Sequence, residues 1–542
     1  MAQVTRRDFV RGVGLGLGVL AMPPFVRDLH AADAPFVDSE LFPLGVFSGD
    51  PNAHSVVIGT RLAPEPLTGG GLTKPVLVRW EVAADPGMRQ TLRGGLTLAL
   101  PARGGSVQVV VYGLPADRWL YYRFAALGER SRVGRTRTFP RPGEACPSLR
   151  FALASCQDYR TGLYTSYKDM LEQRLDFVLH VGDYLYEDGS AAGALRSHTT
   201  GSGPDGEIVT VDDYRNRYAQ YRLDEDLRNA HAQLPFLVTW DDHEVDNNYA
   251  AGLSEIGGAV EGEAFLARRD AAYRVYSEVM PLRPENRPQS PYRQLQRRLR
   301  FGKLADLYIL DTRRYRTDQP CGDGFTANCG EEANPAATLL GVDQERDLFR
   351  ALERSRATWN VLAQQIMITR WNIARFSGAP VPIVNMDAWD GYTAARQRLT
   401  DFLAATRPSN PVVLTGDIHS HFAADVLQDF DDPTSIVAAE IVGTSISSTF
   451  VGSAPARQAL KQATLLDNPH IKYQEGALRG YVVCDVSPNE WVATFKGVLD
   501  SASPDSAVID LAEARIRSGT PGLAGAPSVF ADPDAVPGPA SR

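Results

Sequence analysis

The sequence predicts an α+β, multidomain protein in which an immunoglobulin- or fibronectin-like β-sandwich precedes an α/β layered domain. Three observations carry this reading. The chain has 542 residues, well beyond the roughly 250–300 at which one hydrophobic core stops growing. Between about 42 and 139, short alternating runs such as 55–60, 76–81 and 119–124 are separated by Gly and Pro breaks, the pattern of successive strands and turns. After the Pro-containing stretch 140–147 the rhythm changes. Strand-type runs at 149–155, 177–181, 236–240, 304–311, 359–369 and 411–415 then alternate with helical patterns at 164–173 and 394–405.

Each segment follows from its composition. Residues 1–34 form a signal segment: Thr5-Arg6-Arg7-Asp8-Phe9-Val10, an apolar run from Gly12 to Met22, Pro23-Pro24, and Ala31-Ala32-Asp33-Ala34. The arginine pair resembles the twin-arginine export signal, which implies export of a folded chain to a periplasmic or secreted location with the twin-arginine machinery as partner. The apolar run is rich in glycine and shorter than the roughly 20 residues that span a bilayer, so no stable membrane insertion is expected. Residues 38–140 are the accessory sandwich and 146–503 the catalytic domain, with a helical insertion at 212–234. Residues 504–542 hold one candidate helix and then a flexible Pro, Gly, Ala and Ser tail.

With 44% hydrophobic and 22% charged residues the chain has ordinary globular composition. A formal net charge of −9 speaks against nucleic acid as a structural partner and against anionic membrane surfaces. An anionic substrate would need local positive charge, and bound metal is the obvious source. Five cysteines are few for an exported chain. Cys321 and Cys329 flank a short loop and are either a disulfide or two free thiols; Cys146 and Cys484 have no readable context.

Five strings stand at strand ends, where α/β sheets place ligand sites: Ala154-Ser155-Cys156-Gln157-Asp158, Gly182-Asp183-Tyr184-Leu185-Tyr186, Trp240-Asp241-Asp242-His243-Glu244, Leu310-Asp311-Thr312-Arg313 and Thr415-Gly416-Asp417-Ile418-His419. A Gly-Asp after a strand is commonly a capping turn, but the ordered recurrence of Asp, His, Cys and Tyr is the pattern of a metal cluster. A phosphate ester repels hydroxide, so its hydrolysis calls for a cation that neutralises phosphoryl oxygens and lowers the pKa of a bound water; two bridged metals do both. Asp183 is the candidate bridge. Tyr186, three residues on, can turn back to the same face, and a phenolate with the Cys156 thiolate points to iron(III) rather than zinc.

The Gly-Asp-x-x-Tyr and Gly-x-x-His strings resemble those of calcineurin-like metallophosphoesterases, especially purple acid phosphatases. The Ser-Cys-Gln-Asp string, the run from Trp240 to Asn248, Asp390-Gly391-Tyr392 and the opening Gly45-Val46-Phe47-Ser48-Gly49-Asp50-Pro51 resemble the PhoD-like alkaline phosphatases more narrowly. That resemblance implies a four-layer catalytic domain, two β-sheets flanked by helices. It also implies phosphomonoesterase and phosphodiesterase activity at alkaline pH with one iron(III) (Fe3+) and one or more calcium (Ca2+) ions, hydrolysing by a metal-bound hydroxide. Cys156, Asp183, Tyr186 and His419 would surround the iron. Asp158, Asp183, Asp242 and Asp417 would serve calcium, with Asp183 bridging and Asn247 standing as a substitute for Asp242. His243 either assists the leaving oxygen as a general acid or orders the strand end. Arg313 either forks onto phosphate or pairs with Asp311 or a neighbour. His421 is an outer-shell or loop histidine and His180 a core or outer-shell one. Two other functions stay open: a phospholipase D-type phosphodiesterase, and a non-catalytic binder of phosphate or cell-wall polymer.

Overall fold

The computed structural model describes residues 39–287, 294–450, 452–531 and 533. The signal segment 1–34 lies outside them. Two mixed sheets dominate. The first has ten strands in the order Ser528–Val529, Val508–Arg517, Glu490–Val498, Arg479–Val486, Leu149–Ala154, Phe177–His180, Phe236–Val238, Val46–Gly49, Ser55–Arg61 and Ser106–Tyr112. The second has seven: Arg297–Phe301, Ala305–Ile309, Trp359–Ala363, Pro411–Thr415, Ile436–Val442, His421–Leu427 and Ile471–Glu475.

Strand alternation explains how these sheets stack. Phe151, Leu153, Phe177 and Leu179 of the first sheet point to one face and meet Leu307, Ile309, Trp359, Val361, Val412 and Leu414 of the second in one buried cluster. The opposite pleat faces are apolar as well and are covered by helices. Val178, Phe236 and Val238 pack with Tyr214 and Tyr218 of helix Val211–Arg222 and with Phe265 and Tyr276 of helix Gly262–Val279. Tyr308, Leu362 and Val413 pack with Leu348 and Leu352 of helix Gly341–Glu353 and with Leu399 and Leu403 of helix Thr393–Thr406. The catalytic segment is therefore layered helix, sheet, sheet, helix.

Two segments are built differently from what was expected. The N-terminal segment is not a self-contained sandwich. Its strand Val46–Gly49 pairs in parallel with Phe236–Val238, and Ser55–Arg61 and Ser106–Tyr112 extend the same sheet. The remaining strands, Thr91–Ala99, Val76–Ala83, Trp119–Ala126, Glu129–Arg130 and Gly134–Arg137, form a second small sheet. The two pack through Val56, Ile58, Val107, Val78, Val82 and Phe124. Phe139, at the head of the expected linker, is buried 5.7 Å from Phe177 and 5.1 Å from Phe301, so sheet and linker tie the segments together.

The second correction concerns the stretch from 504. Val508–Arg517 is a strand of the large sheet, paired antiparallel with Glu490–Val498 and burying Leu511, Ala512, Ala514 and Ile516. Its Ala, Glu and Leu content reads as helical, but the buried positions alternate once a register shift opposite Phe495 and Lys496 is allowed for. Cys321 and Cys329 form a disulfide, with Cα atoms 5.7 Å apart. Among the described residues no helix is long and apolar enough to cross a membrane.

Candidate metal centre

The carboxyl ends of the central strands converge, and the loops leaving them carry the chemistry. Cys156, Asp183, Asp417 and His419 all adopt left-handed backbone, with φ of 58°, 54°, 63° and 56°. For a non-glycine residue this costs roughly 1–2 kcal/mol, and four such residues at adjoining strand ends mark a site that the surrounding structure over-determines. Gly182 shows how tightly the loops approach: a Cβ there would lie 2.4 Å from the Cβ of Asp241 and 2.6 Å from its backbone nitrogen. The buried Glu244 carboxylate ties the same loops, accepting from the backbone N–H groups of Asp183 (3.0 Å), Tyr184 (2.8 Å) and Asp241 (2.8 Å).

Three sets of donor atoms result, each gathered within 4.8 Å: Cys156, Asp183 and His419; Asp183, Asp242 and His243; Asp241, Asp242 and Asp417. Asp183 belongs to the first two and Asp242 to the last two. Tyr186 stands beside the first, donating to Asp183 Oδ2 (3.2 Å) and facing His419 Nε2 at 3.1 Å. Ser448 Oγ donates to the Tyr186 hydroxyl at 2.8 Å. Thr449 O lies 2.8 Å from His419 Nδ1, a contact that places the imidazole proton there and turns Nε2 inward.

The electrostatics ask for a cation. Burial first, and then the neighbouring Asp242, Asp241 and Glu244 carboxylates, push the Asp183 carboxyl well above its ordinary range against the pull of His243. Burial likewise raises Asp417, with Asp241 adding to it. The Cys156 thiol is raised by burial and then by Asp183; the Tyr186 phenol is raised by burial, Asp183 and Cys156. Asp241 is pushed up to about 7 by burial despite Arg313. Asp183 Oδ1 is buried with no hydrogen-bond partner among the described residues, a partner that a buried carboxylate oxygen rarely lacks. Thiol, phenol, imidazole and carboxylates packed around an orphaned oxygen fit the hard or borderline ions expected from the sequence.

Not every expected residue joins the cluster. Asp158 stands apart from all three sets, its carboxylate chelated by Arg160, Nε to Oδ1 at 3.0 Å and Nη2 to Oδ2 at 3.0 Å. Asn247 turns away and donates from Nδ2 to Glu255 at 2.8 Å. Arg313 is fully buried and grips carboxylates rather than facing open space. Its Nε bonds Asp241, its Nη1 bonds Asp387 at 2.7 Å, and its Nη2 lies 3.6 Å from Asp242 and 3.8 Å from Asp417. Asp311 accepts from Trp240 Nε1 (3.1 Å) and from the backbone N–H groups of Arg313 (3.1 Å) and Arg314 (3.0 Å), and not from the Arg313 guanidinium. His243 sits over the Tyr186 ring, centroids 4.0 Å apart, with Nδ1 2.7 Å from Glu187 Oε2. Burial opposes its protonation, but Glu187, Asp183 and Asp242 together hold its pKa well above the ordinary imidazole value. His421 is buried away from the cluster, its Nδ1 accepting from Thr444 N at 3.0 Å. His180 is a core residue packed against Tyr184 with the rings tilted, centroids 5.3 Å apart. Sequence reasoning missed Asp387, Glu187, Glu244 and Ser448. Glu187 directly follows the string ending at Tyr186, and Glu244 closes the string from Trp240 without having been given a role there; Asp387 and Ser448 lie on loops with no signal of their own.

Comparison with known proteins places this geometry. The family model described as PhoD-like phosphatase matches residues 151–495, and that of the PhoD-like phosphatase N-terminal domain matches 30–140. Alkaline phosphatase D of Bacillus subtilis (strain 168) is 45% identical over 514 residues, 93% of this chain and 86% of the relative. The chain belongs to the PhoD-like phosphatases. It is a phosphoric ester hydrolase of the alkaline phosphatase D type, and the reading as a non-catalytic binder falls away. The solved structure of PhoD matches this PhoD-like phosphatase with a TM-score of 0.84 and 45% identity, over 90% of this chain and 93% of that one. A purple acid phosphatase from yellow lupin (Lupinus luteus) seeds matches with a TM-score of 0.52 over 87% of this chain and 74% of its own; at 11% identity this shows a shared fold.

Proposed function

We propose that this PhoD-like phosphatase is an exported enzyme hydrolysing phosphate monoesters and diesters at alkaline pH, with one iron(III) and one or more calcium ions. The observation that carries the metal reading is Asp183. Its carboxylate is buried, shared by two donor sets, and keeps one oxygen without a hydrogen bond. Cys156, Asp183, Tyr186 and His419 would hold the iron, and Asp183, Asp242 and Asp417 the calcium, with Asp158 left to its pairing with Arg160. Bound there, the ions supply positive charge to phosphoryl oxygens and ionise a nucleophile near neutral pH.

The remaining work falls to the chain. Glu187 fixes the His243 imidazole, and its negative charge favours the protonated ring, so that Nε2 could deliver a proton to the departing oxygen. Because burial and anionic neighbours raise the Cys156 thiol and Tyr186 phenol, metal loading must release their protons and should strengthen with pH. Export rests on the Arg6-Arg7 segment, and N-terminal sequencing of the mature protein recovered outside the cytoplasm checks it. The main test is metal analysis with hydrolysis of p-nitrophenyl phosphate and bis-p-nitrophenyl phosphate by wild type, Cys156→Ala and Asp183→Asn. Iron and calcium in the wild type, lost together with activity in the variants, support the proposal. Full turnover without Asp183 refutes it.

A further inference from the structure

Two arginines line a cavity between the N-terminal sheet and the helical layer. The cavity measures about 20 Å3 and is bounded by Phe47, Arg61, Ser106, Tyr218 and Arg222 among others. All five are at most 7% exposed. Four polar atoms of these residues, Arg61 Nη2, Ser106 Oγ, Tyr218 Oη and Arg222 Nε, are buried with no hydrogen-bond partner among the described residues. So many orphaned donors at one point are unusual, since buried polar groups are almost always satisfied.

The charge balance is equally one-sided. Arg61 spends Nε and Nη1 on the carbonyls of Gly104 and Arg215, both at 2.8 Å. Arg222 donates to the carbonyls of Leu44 and Val46, each at 3.4 Å, and its guanidinium also lies by the Tyr184 hydroxyl and over the Phe47 ring, 5.4 Å from its centroid. Neither guanidinium forms a salt bridge among the described residues. The nearby Glu278 carboxylate is taken bidentately by Arg215, at 2.8 and 3.0 Å. Burial, with the positive Arg215 adding to it, pulls the Arg61 pKa down to about 10. Glu278 and Asp212 offset part of the charge on Arg61, but two buried guanidinium groups with no ion pair among the described residues remain costly to the fold.

We propose that this cavity binds a single small monovalent anion, chloride under ordinary conditions, held by the two guanidinium groups and the hydroxyls of Ser106 and Tyr218. The volume selects the class: it admits one small guest and is too small for a tetrahedral oxyanion such as the phosphate released in catalysis. The ion clamps strands Ser55–Arg61 and Ser106–Tyr112 to the end of helix Val211–Arg222, so it stabilises the joint between the N-terminal segment and the catalytic layers.

Crystals of the full-length enzyme grown in sodium bromide, measured at the bromine absorption edge, test this without any substitution. An anomalous peak between Arg61 and Arg222 is the expected result; a water molecule or no density at that point overturns the proposal. In solution, thermal unfolding of the wild type in sodium chloride should exceed that in sodium gluconate of equal ionic strength by several degrees. Ser106→Val, which fills the cavity, should fold and abolish the difference. Equal midpoints in the two salts for the wild type would count against the site.

Discussion

Replacing Arg313 by methionine keeps much of the side-chain volume and removes the charge, and the outcome separates two roles for this residue. The guanidinium is fully buried among four carboxylates: it bonds Asp241 and Asp387 and lies 3.6 and 3.8 Å from Asp242 and Asp417. Removing one partner of a buried ion pair costs about 3–5 kcal/mol, because the other charge is left uncompensated. Asp387 keeps a second partner in Arg316, so the loss falls mainly on Asp241 and the lower end, about 3 kcal/mol, is expected. Against a total stability of roughly 5–15 kcal/mol that is a large fraction.

The sign with pH follows from Asp241, which burial already raises to about 7. Without Arg313 its pKa rises further, so near pH 5 this carboxyl is protonated in both proteins and the penalty left there falls on Asp242, which against burial is held below its ordinary range by Arg313. Near pH 8 the wild type is ionised and paired while the variant is not. Urea unfolding followed by tryptophan fluorescence at pH 5 and pH 8 should therefore show a deficit that grows with pH, with kcat for p-nitrophenyl phosphate falling more than KM rises. Unchanged unfolding at both pH values, with KM alone raised, would mean that Arg313 grips the substrate and that the charge-compensation argument is wrong.

Three further outcomes follow from the same physics. Gly182→Ala forces a Cβ to 2.4 Å from that of Asp241 in a backbone with φ of 119°. Activity and metal content should drop at least about tenfold, whereas Gly143→Ala, which has positive φ but nothing within 4 Å, should retain both; equal losses would point to backbone strain alone. Truncation after Ser506 removes strand Val508–Arg517 and exposes the apolar residues of Glu490–Val498, so the product should be insoluble; a soluble, active protein would show the strand to be dispensable. His470 is buried with Nε2 2.8 Å from Arg370 O, and burial lowers its pKa to about 4. It stays neutral in the fold while the unfolded chain protonates, so stability is lost as pH falls from 6.5 toward 4, by about 3 kcal/mol at most. His470→Asn should flatten that part of the stability profile, and an identical slope would refute the assignment.

What could be read from residues alone divides along a physical line. Strands Leu149–Ala154, Phe177–His180 and Pro411–Thr415 are mainly apolar and almost wholly buried, and the polar strings after them stand out because a buried strand must end where polar atoms begin. Cys156, Asp183, Asp242, Asp417 and His419 could be named for that reason, and the structure brings them together. Contacts between distant segments leave no such mark. Asp158 and Arg160 stand two residues apart, yet nothing local says that the arginine will chelate that carboxylate rather than reach for solvent. Asp387 meets Arg313 across 74 positions, and Ser448 meets Tyr186 across 262. The strand at 508–517 illustrates the same limit, since its composition favours a helix and only pairing with Glu490–Val498 makes it extended. Local chemistry thus identifies the groups that face a ligand, whereas the charges that balance them are chosen by the fold. For that reason the Arg313 and Arg222 environments, rather than the ligand strings, are where substitution tells most about this enzyme.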